Sequence, residues 1–165
     1  MSPRAACRLE SLGFTAVYDY TAGKVDWLAA GRRTEGPGAA TLRPGSVART
    51  PVPTCSLDDT VGDARQRAAA VGEDRCVVVT DRGIVVGLLG RDALTGDDRA
   101  AARDVMREGP TTIRAHEDLA GLARRMHNRN VAKILVTDPD GRPLGLLHRS
   151  DADAAIDSEA KRDDR

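Results

Sequence analysis

The hydrophobic residues between positions 51 and 156 form two successive blocks with the same internal order. Each block starts with a stretch in which apolar residues recur at the three- and four-residue spacing of an amphipathic helix. These positions are Val61, Ala64, Ala68 and Val71 in the first block and Leu119, Leu122, Ala123 and Met126 in the second. Two short apolar runs follow each helix, CVVV and IVVGLLG, then KILV and PLGLLH. Because CVVV and KILV are continuous rather than alternating, they predict strands covered on both faces.

The two blocks align as copies of one unit. Thr54 corresponds to Thr112 at an offset of 58 residues, and the glycines of the two GLL runs keep the same offset. A short extended piece opens each copy, and the acidic turns SLDD and AHED then supply residue types that cap helix starts. Turns rich in Gly and Pro separate the paired strands, and a short helix begins near Arg91 and again near Arg149.

The pattern therefore predicts an α/β fold of two β-α-β-β-α units. The first unit covers residues 51–95, the second covers residues 109–156, and a connecting helix is predicted over 96–108. One unit alone leaves the apolar face of its helix exposed. We therefore expect the two units to pack against each other about a pseudo-two-fold axis.

Three segments lie outside the repeats. Residues 37–50 are rich in Gly, Pro, Arg and Thr without a helical or strand period, which predicts a linker. Residues 157–165 are mostly charged and predict a disordered tail. Residues 1–36 hold every aromatic residue of the chain and predict a helix, a strand (TAVYDY) and a second helix.

Charge and composition narrow the function classes. Lys and Arg total 25, as do Asp and Glu, so no net field favours a nucleic-acid or anionic-membrane partner. No apolar run approaches the roughly 20 residues that span a bilayer, and no signal-peptide pattern is present, which favours a cytoplasmic location. Three cysteines without C-x-x-C spacing and three scattered histidines predict neither a disulfide framework nor a metal site.

The double repeat, with VMREGPTTIRAHEDL between the copies, resembles a pair of cystathionine β-synthase (CBS) domains. That family closes each unit with a Gly, two apolar residues, a Thr or Ser, two variable residues and an Asp. In the second copy GLLHRSD matches at Gly145 and Asp151, with His148 at the hydroxyl position. The first copy, GLLGRDA, has Gly90 at the hydroxyl position and Ala93 where the Asp belongs.

The resemblance implies that AMP, ADP, ATP or S-adenosylmethionine binds in clefts between the copies, as a regulatory ligand and not as a cofactor. An Asp at a helix start can accept hydrogen bonds from the ribose hydroxyls, and the free N–H groups there suit a phosphate. Asp151 is the leading ligand residue. The other candidates are Thr111, Thr112, His148, Arg149, Thr54, Arg91 and Asp92.

Five of these eight candidates also have a purely structural interpretation. Asp151 in the first turn of a helix stabilises the helix dipole without any ligand. His148 also fits an exposed strand end, and Arg91 and Arg149 fit a solvated surface. For Asp92, which lies one residue out of register, we favour helix capping, and we expect the first-copy site to bind a nucleotide poorly.

Residues 1–36 resemble the carboxyl-terminal end of a rhodanese (sulfurtransferase) domain, most clearly in SLGFTAVYDYTAGKVDWLAAG. A rhodanese carries its nucleophilic cysteine on a loop before the helix that SPRAA would begin, and that loop would precede Met1. Cys7 falls about two turns along, where the helix dipole acts weakly, so we interpret it as a packing residue. The segment is predicted to be a loosely held remnant, or the end of a rhodanese–CBS fusion whose catalytic loop is absent here.

No phosphate-binding glycine motif or catalytic triad is present, so a bound nucleotide is expected to be sensed and not hydrolysed. We therefore expect a non-enzymatic regulatory CBS pair that forms a homodimer and relays its ligand to its own shape or to a protein partner. The alternatives are a dimerisation scaffold that needs no ligand, and a fragment of a rhodanese–CBS sulfurtransferase fusion whose catalytic loop is absent here.

Overall fold

The computed structural model describes residues 3–18, 20–21, 23–29, 32, 34–36 and 41–163. The helices and strands, in chain order, are α1 (Pro3–Ser11), α2 (Gly23–Ala29), α3 (Pro44–Val47), β1 (Thr54–Cys55), α4 (Val61–Ala70), β2 (Cys76–Val79), β3 (Val85–Leu89), α5 (Arg91–Leu94), α6 (Ala102–Val105), β4 (Arg107–Glu108), β5 (Thr112–Arg114), α7 (Leu119–Asn128), β6 (Lys133–Thr137), β7 (Pro143–His148) and α8 (Arg149–Asp163). The predicted order of strand, helix, strand, strand and helix is confirmed in both repeats.

Each repeat forms its own small sheet. In the first, β1 lies parallel to β2, and β3 is antiparallel to both β2 and β4. In the second, β5 lies parallel to β6, and β7 is antiparallel to β6. The central strands β2 and β6 are almost wholly buried, as their continuous apolar runs predict.

The amphipathic helices α4 and α7 carry the apolar cores of the repeats. Thr60 caps α4 by accepting the Asp63 N–H, and Asp118 caps α7 by accepting the Gly121 N–H. The apolar face of α7 is fully buried, with Leu119, Leu122 and Met126 each at most 2% exposed. The shorter residues of α4 bury a smaller face.

Residues 41–50, part of the predicted linker, pack against the second repeat. The Leu42 carbonyl accepts the Leu119 N–H, and the Gly45 N–H reaches the Ala115 carbonyl, both at 3.1 Å. Arg49 adds an antiparallel bridge to Leu146 of β7, with hydrogen bonds of 2.9 and 3.0 Å. Contacts with the second repeat, and not a local apolar period, fix the conformation of this segment. The sequence pattern therefore did not predict its packing. Residues 37–40 lie outside the described part.

The connection between the repeats also differs from the prediction of a helix over 96–108. Only one helical turn, α6, forms, and β4 follows it and pairs with β3. Hydrogen bonds to the first repeat hold this chain in place, because the Ala102 N–H reaches the Asp59 carbonyl at 2.8 Å. Tertiary pairing therefore outweighs the helical propensity of the Ala-rich stretch.

The C-terminal residues 157–163 are helical and not disordered as predicted for 157–165. Helix α8 continues to Asp163, and the Ser158 hydroxyl donates to the Ala154 carbonyl. Ala, Glu, Lys and Arg are strong helix formers, which explains the extension. Near the N-terminus both predicted helices form, but residues 15–18 and 20 form no strand, and Asp19 lies outside the described residues.

The side chains of residues 5–18 are largely exposed. Cys7 is exposed, which contradicts its interpretation as a packing residue, and the described residues 15–18 and 20 form no strand that could cover it. Phe14 and Tyr18 are also exposed, at 60% and 82%. Tyr20 and Trp27 stack edge to face with centroids 5.2 Å apart. The rhodanese resemblance of residues 1–36 stays a prediction.

Gly145 is a point of close approach between β7 and the segment before the first repeat. A Cβ at this position would lie 2.6 Å from the Ala48 Cβ and 3.2 Å from the Arg49 carbonyl oxygen. We predict that Gly145→Ser lowers the free energy of unfolding by about 1–3 kcal/mol. Gly90→Ser is the matched control, since a Cβ at Gly90 meets nothing within 4 Å. Urea denaturation measures both, and equal stability of the two variants would contradict the packing of residues 41–50.

Candidate functional site

A cleft of about 460 Å³ opens between the two repeats. We call it the Thr111 cleft. Its walls come from β5, α7, β6 and β7 of the second repeat and from Arg75, Leu88 and Arg107 on the other side. The volume lies within the range of small-molecule sites. A molecule bound there would touch both repeats at once.

The floor of the Thr111 cleft is apolar and its mouth is polar. Apolar side chains on the floor include Leu88, Ile113, Leu122, Met126, Ile134, Leu135 and Leu146. Thr111 and Thr112 lie exposed at the mouth and carry hydroxyl groups beside the free backbone of an edge strand. An apolar floor with a few polar groups suits a flat ring system that has hydrogen-bonding edges.

Basic residues surround the cleft. The cationic lining residues are Arg75, Arg107, Arg125, Arg129 and Lys133, and Glu117 is the acidic one. Arg125 pairs with Glu117 at 2.5 Å. In the described part of the chain, Arg107 and Arg129 have neither an ion pair nor a side-chain hydrogen bond. The guanidinium groups of these two residues are thus available to an anion.

A network of charged side chains joins the repeats beside the cleft. Glu73 of the first repeat accepts hydrogen bonds from His148 Nε2 at 2.7 Å and from Lys133 Nζ at 2.8 Å. Lys133 Nζ also reaches Asp74 at 2.7 Å. The Glu73 side chain is 5% exposed, so its charge depends on these partners for compensation.

Asp74 connects this network to the surface. It accepts hydrogen bonds from Lys133, Arg75 and Arg91, the last two at 3.1 Å. Burial would raise the pKa of the Asp74 carboxyl, but the bonds from Lys133 and Arg75 outweigh it and hold that pKa well below its usual value. Asp74 is therefore a carboxylate at neutral pH.

Asp151, the leading predicted ligand residue, is held by Arg49. The Arg49 guanidinium donates from Nε to Oδ2 at 2.6 Å and from Nη2 to Oδ1 at 2.9 Å. These bonds hold the pKa of the Asp151 carboxyl below its usual value. Both carboxylate oxygens thus have a partner, and a ribose at Asp151 would have to displace Arg49.

The remaining predicted site residues fall in several places. Of the eight, Thr111 and Thr112 line the cleft. His148 bonds to Glu73, Arg91 pairs with Asp74, and Arg149 donates to Asn130 at 3.4 Å. Thr54 offers its carbonyl to Arg67 at 3.2 Å, and Asp92 lies in the first turn of α5.

Sequence reasoning missed Arg107 and Arg129. A usable signal was the repeat itself, because Arg49 and Arg107 are separated by the same 58 residues as Thr54 and Thr112. An arginine just ahead of each copy marks an equivalent position in the two repeats.

Comparison with known protein families supplies the deciding match. The model of the CBS domain matches residues 45–96 and 102–158, well over half of the chain. This chain belongs to the CBS-domain family. The predicted resemblance to a CBS pair is confirmed. The first match begins inside the segment predicted as a linker, in agreement with the packing of residues 41–50.

Solved CBS structures share the fold. CBSX2 in complex with AMP is 19% identical with a TM-score of 0.60, covering 70% of this chain and 96% of that one. The CBS domain pair of protein MJ0100, in complex with 5′-methylthioadenosine and S-adenosyl-L-methionine, is 16% identical with a TM-score of 0.59, covering 72% and 98%. The soluble part of a magnesium transporter is 22% identical with a TM-score of 0.62. This chain covers 48% of that one, or about half its length.

No curated protein is similar enough to this CBS pair to count as a relative. Among the described residues, no helix is both long enough and apolar enough to span a membrane. The same part of the chain holds no cluster of three or more His, Cys, Asp or Glu side chains placed to bind a metal ion.

The charge network of this CBS pair predicts a pH-dependent stability. The folded-state pKa of Asp74 lies below the unfolded value of about 3.9, so its contribution is complete above roughly pH 5. That contribution is lost as the pH falls through the folded-state pKa. We predict that Asp74→Asn costs about 2 kcal/mol at pH 7 and progressively less on acidification.

Urea denaturation between pH 7 and pH 2 measures this difference, with Asp81→Asn in an exposed turn as the control. A cost of Asp74→Asn that stays constant down to pH 2 would show that the carboxylate charge is not what joins the repeats.

Proposed function

We propose that this CBS pair is a non-catalytic regulatory module that binds an adenosine-containing ligand in the Thr111 cleft. AMP, ADP, ATP and S-adenosylmethionine are the candidates. The observation that carries the proposal is the cleft itself, with its apolar floor, hydroxyl-bearing mouth and basic rim between two repeats. The structures of CBSX2 with AMP and of MJ0100 with S-adenosyl-L-methionine support this ligand class.

The chemistry of the lining fits the parts of such a ligand. The apolar floor accepts an adenine ring, and the backbone groups of Thr111 and Thr112 can hydrogen-bond its edge. Arg107 and Arg129 supply donors for phosphate oxygens. Asp151 is not among the described residues that line the cleft, so the ribose-binding role predicted for it is an alternative placement of the ligand, which requires Arg49 to leave its carboxylate.

The position of the cleft provides a way to relay occupancy. Lys133 lines the cleft and also binds Glu73 and Asp74 of the first repeat. An anion that accepts a hydrogen bond from the Lys133 ammonium competes with the Glu73 and Asp74 carboxylates for it. Ligand binding would therefore change the contact between the repeats, and through it the conformation or the assembly of the module.

A thermal-shift series with AMP, ADP, ATP and S-adenosylmethionine tests the proposal. A ligand at 100 times its dissociation constant should add about 2.7 kcal/mol of stability. Thr112→Trp places an indole in the mouth of the cleft and should abolish the shift. Thr95→Trp, at an exposed position after α5, should retain it.

Two results would contradict the proposal: no shift with any of the four ligands, or equal shifts in wild type and Thr112→Trp. In the same assay Asp151→Asn examines the predicted ribose contact. Loss of the shift in Asp151→Asn alone would move the ligand to Asp151 and away from the Thr111 cleft.

A ligand-independent dimerisation scaffold is the second candidate. Two side chains predicted to contact a ligand already have protein partners, Asp151 with Arg49 and His148 with Glu73. This hypothesis predicts a concentration-dependent homodimer in sedimentation equilibrium whose dissociation constant does not change with saturating nucleotide. A dissociation constant that shifts with nucleotide, or a monomer at all concentrations, would rule out the scaffold.

A further inference from the structure

The equivalence of the repeats extends to the arginine ahead of each one. Arg107 in β4 lies opposite Leu88 of β3, and Arg49 bridges to Leu146 of β7. Arg49 and Arg107 are separated by 58 residues, as are Leu88 and Leu146. The two arginines therefore occupy corresponding positions on the two sheets.

Their acidic partners do not correspond. Arg49 is paired through both carboxylate oxygens with Asp151, in the first turn of α8. The residue 58 positions before Asp151 is Ala93, in α5. Asp92, one residue earlier, is not among the residues that line the cleft. Arg107 therefore has an alanine where Arg49 has a carboxylate.

Among the described residues that line the cleft, no carboxylate is available to a ligand. Glu117, the acidic residue among the described lining residues, accepts the Arg114 N–H at 3.1 Å and the Arg125 guanidinium at 2.5 Å. Lys133 and Arg75 are compensated by Glu73 and Asp74 outside the lining. Within the described part of the chain, Arg107 and Arg129 are the lining cations that have no acidic partner.

We infer that the Thr111 cleft selects its ligand by phosphate charge and takes a nucleoside polyphosphate in preference to a monophosphate or to S-adenosylmethionine. The inference rests on the proposed function and narrows it to one class of ligand. Each added phosphate can accept further charge-assisted hydrogen bonds from the two unpaired guanidinium groups, which strengthens binding. The sulfonium group of S-adenosylmethionine is cationic, and the described lining offers it no free carboxylate. The same described residues offer the ribose hydroxyls no carboxylate acceptor, so the phosphates contribute most of the selectivity.

Isothermal titration calorimetry on the full chain, in magnesium-free buffer at constant ionic strength, tests the inference. The probes are ATP, ADP, AMP, S-adenosylmethionine and inorganic tripolyphosphate. We expect affinity to rise from AMP to ADP to ATP. We expect Arg107→Gln to weaken ATP binding roughly tenfold and to change AMP binding much less. Arg124→Gln removes a charge from the exposed side of α7, outside the lining, and should leave all affinities unchanged.

A second variant tests the same point by adding an acidic group. Ala93→Asp places a carboxylate at the position that Asp151 has relative to Arg49. It should neutralise Arg107 and reduce the preference for ATP over AMP. Because it leaves Arg107 in place, it also guards against a folding defect in Arg107→Gln.

The outcomes separate this inference from the proposed function. AMP or S-adenosylmethionine binding as tightly as ATP would overturn the inference and leave adenosine sensing intact. Tripolyphosphate binding as tightly as ATP, with loss in Arg107→Gln, would support the charge selection and overturn adenosine recognition. Absence of binding by all five probes would overturn both.

Discussion

The structure depends on a reciprocal arrangement in which the chain ahead of each repeat completes a sheet edge. The segment before the second repeat pairs as β4 with β3 of the first, and Arg49 ahead of the first repeat pairs with Leu146 of the second. Neither small sheet could bury its edge and its apolar helix alone. Gly145 makes the approach of Ala48 possible, because any side chain there would meet it. Residues 41–50, which precede the first repeat, pack on the second repeat and thus hold the two repeats together.

Arg49 and Arg107 occupy equivalent positions in this arrangement, but their acidic surroundings differ. Arg49 is neutralised by Asp151, whereas Arg107 faces a cleft whose carboxylate, Glu117, is already engaged. The difference follows from one position of the repeat, because Ala93 stands in the first repeat where the second has Asp151. The Glu73–Lys133 contact connects the basic cleft to the interface between the repeats, so charge in the cleft and contact between the repeats are linked.

The sequence predicted what depends on local periodicity and on the repeat, and missed what depends on tertiary pairing. The helices α4 and α7 and the buried strands followed from the spacing and continuity of apolar residues. The packing of residues 41–50 did not, because Leu42 and Ala48 become apolar contacts only against the second repeat. The same holds for the candidate site: the CBS resemblance pointed to Thr111 and Thr112, which line the cleft, whereas the Arg49–Asp151 pair joins residues about a hundred positions apart and left no local pattern.

A crystal structure of the full chain grown with ATP would show where the nucleotide binds. We expect the adenine on the apolar floor of the Thr111 cleft and phosphate oxygens within hydrogen-bond distance of the Arg107 guanidinium, with the Arg49–Asp151 pair intact. A nucleotide with its ribose on Asp151 and Arg49 displaced, or an empty cleft at saturating ATP, would contradict it.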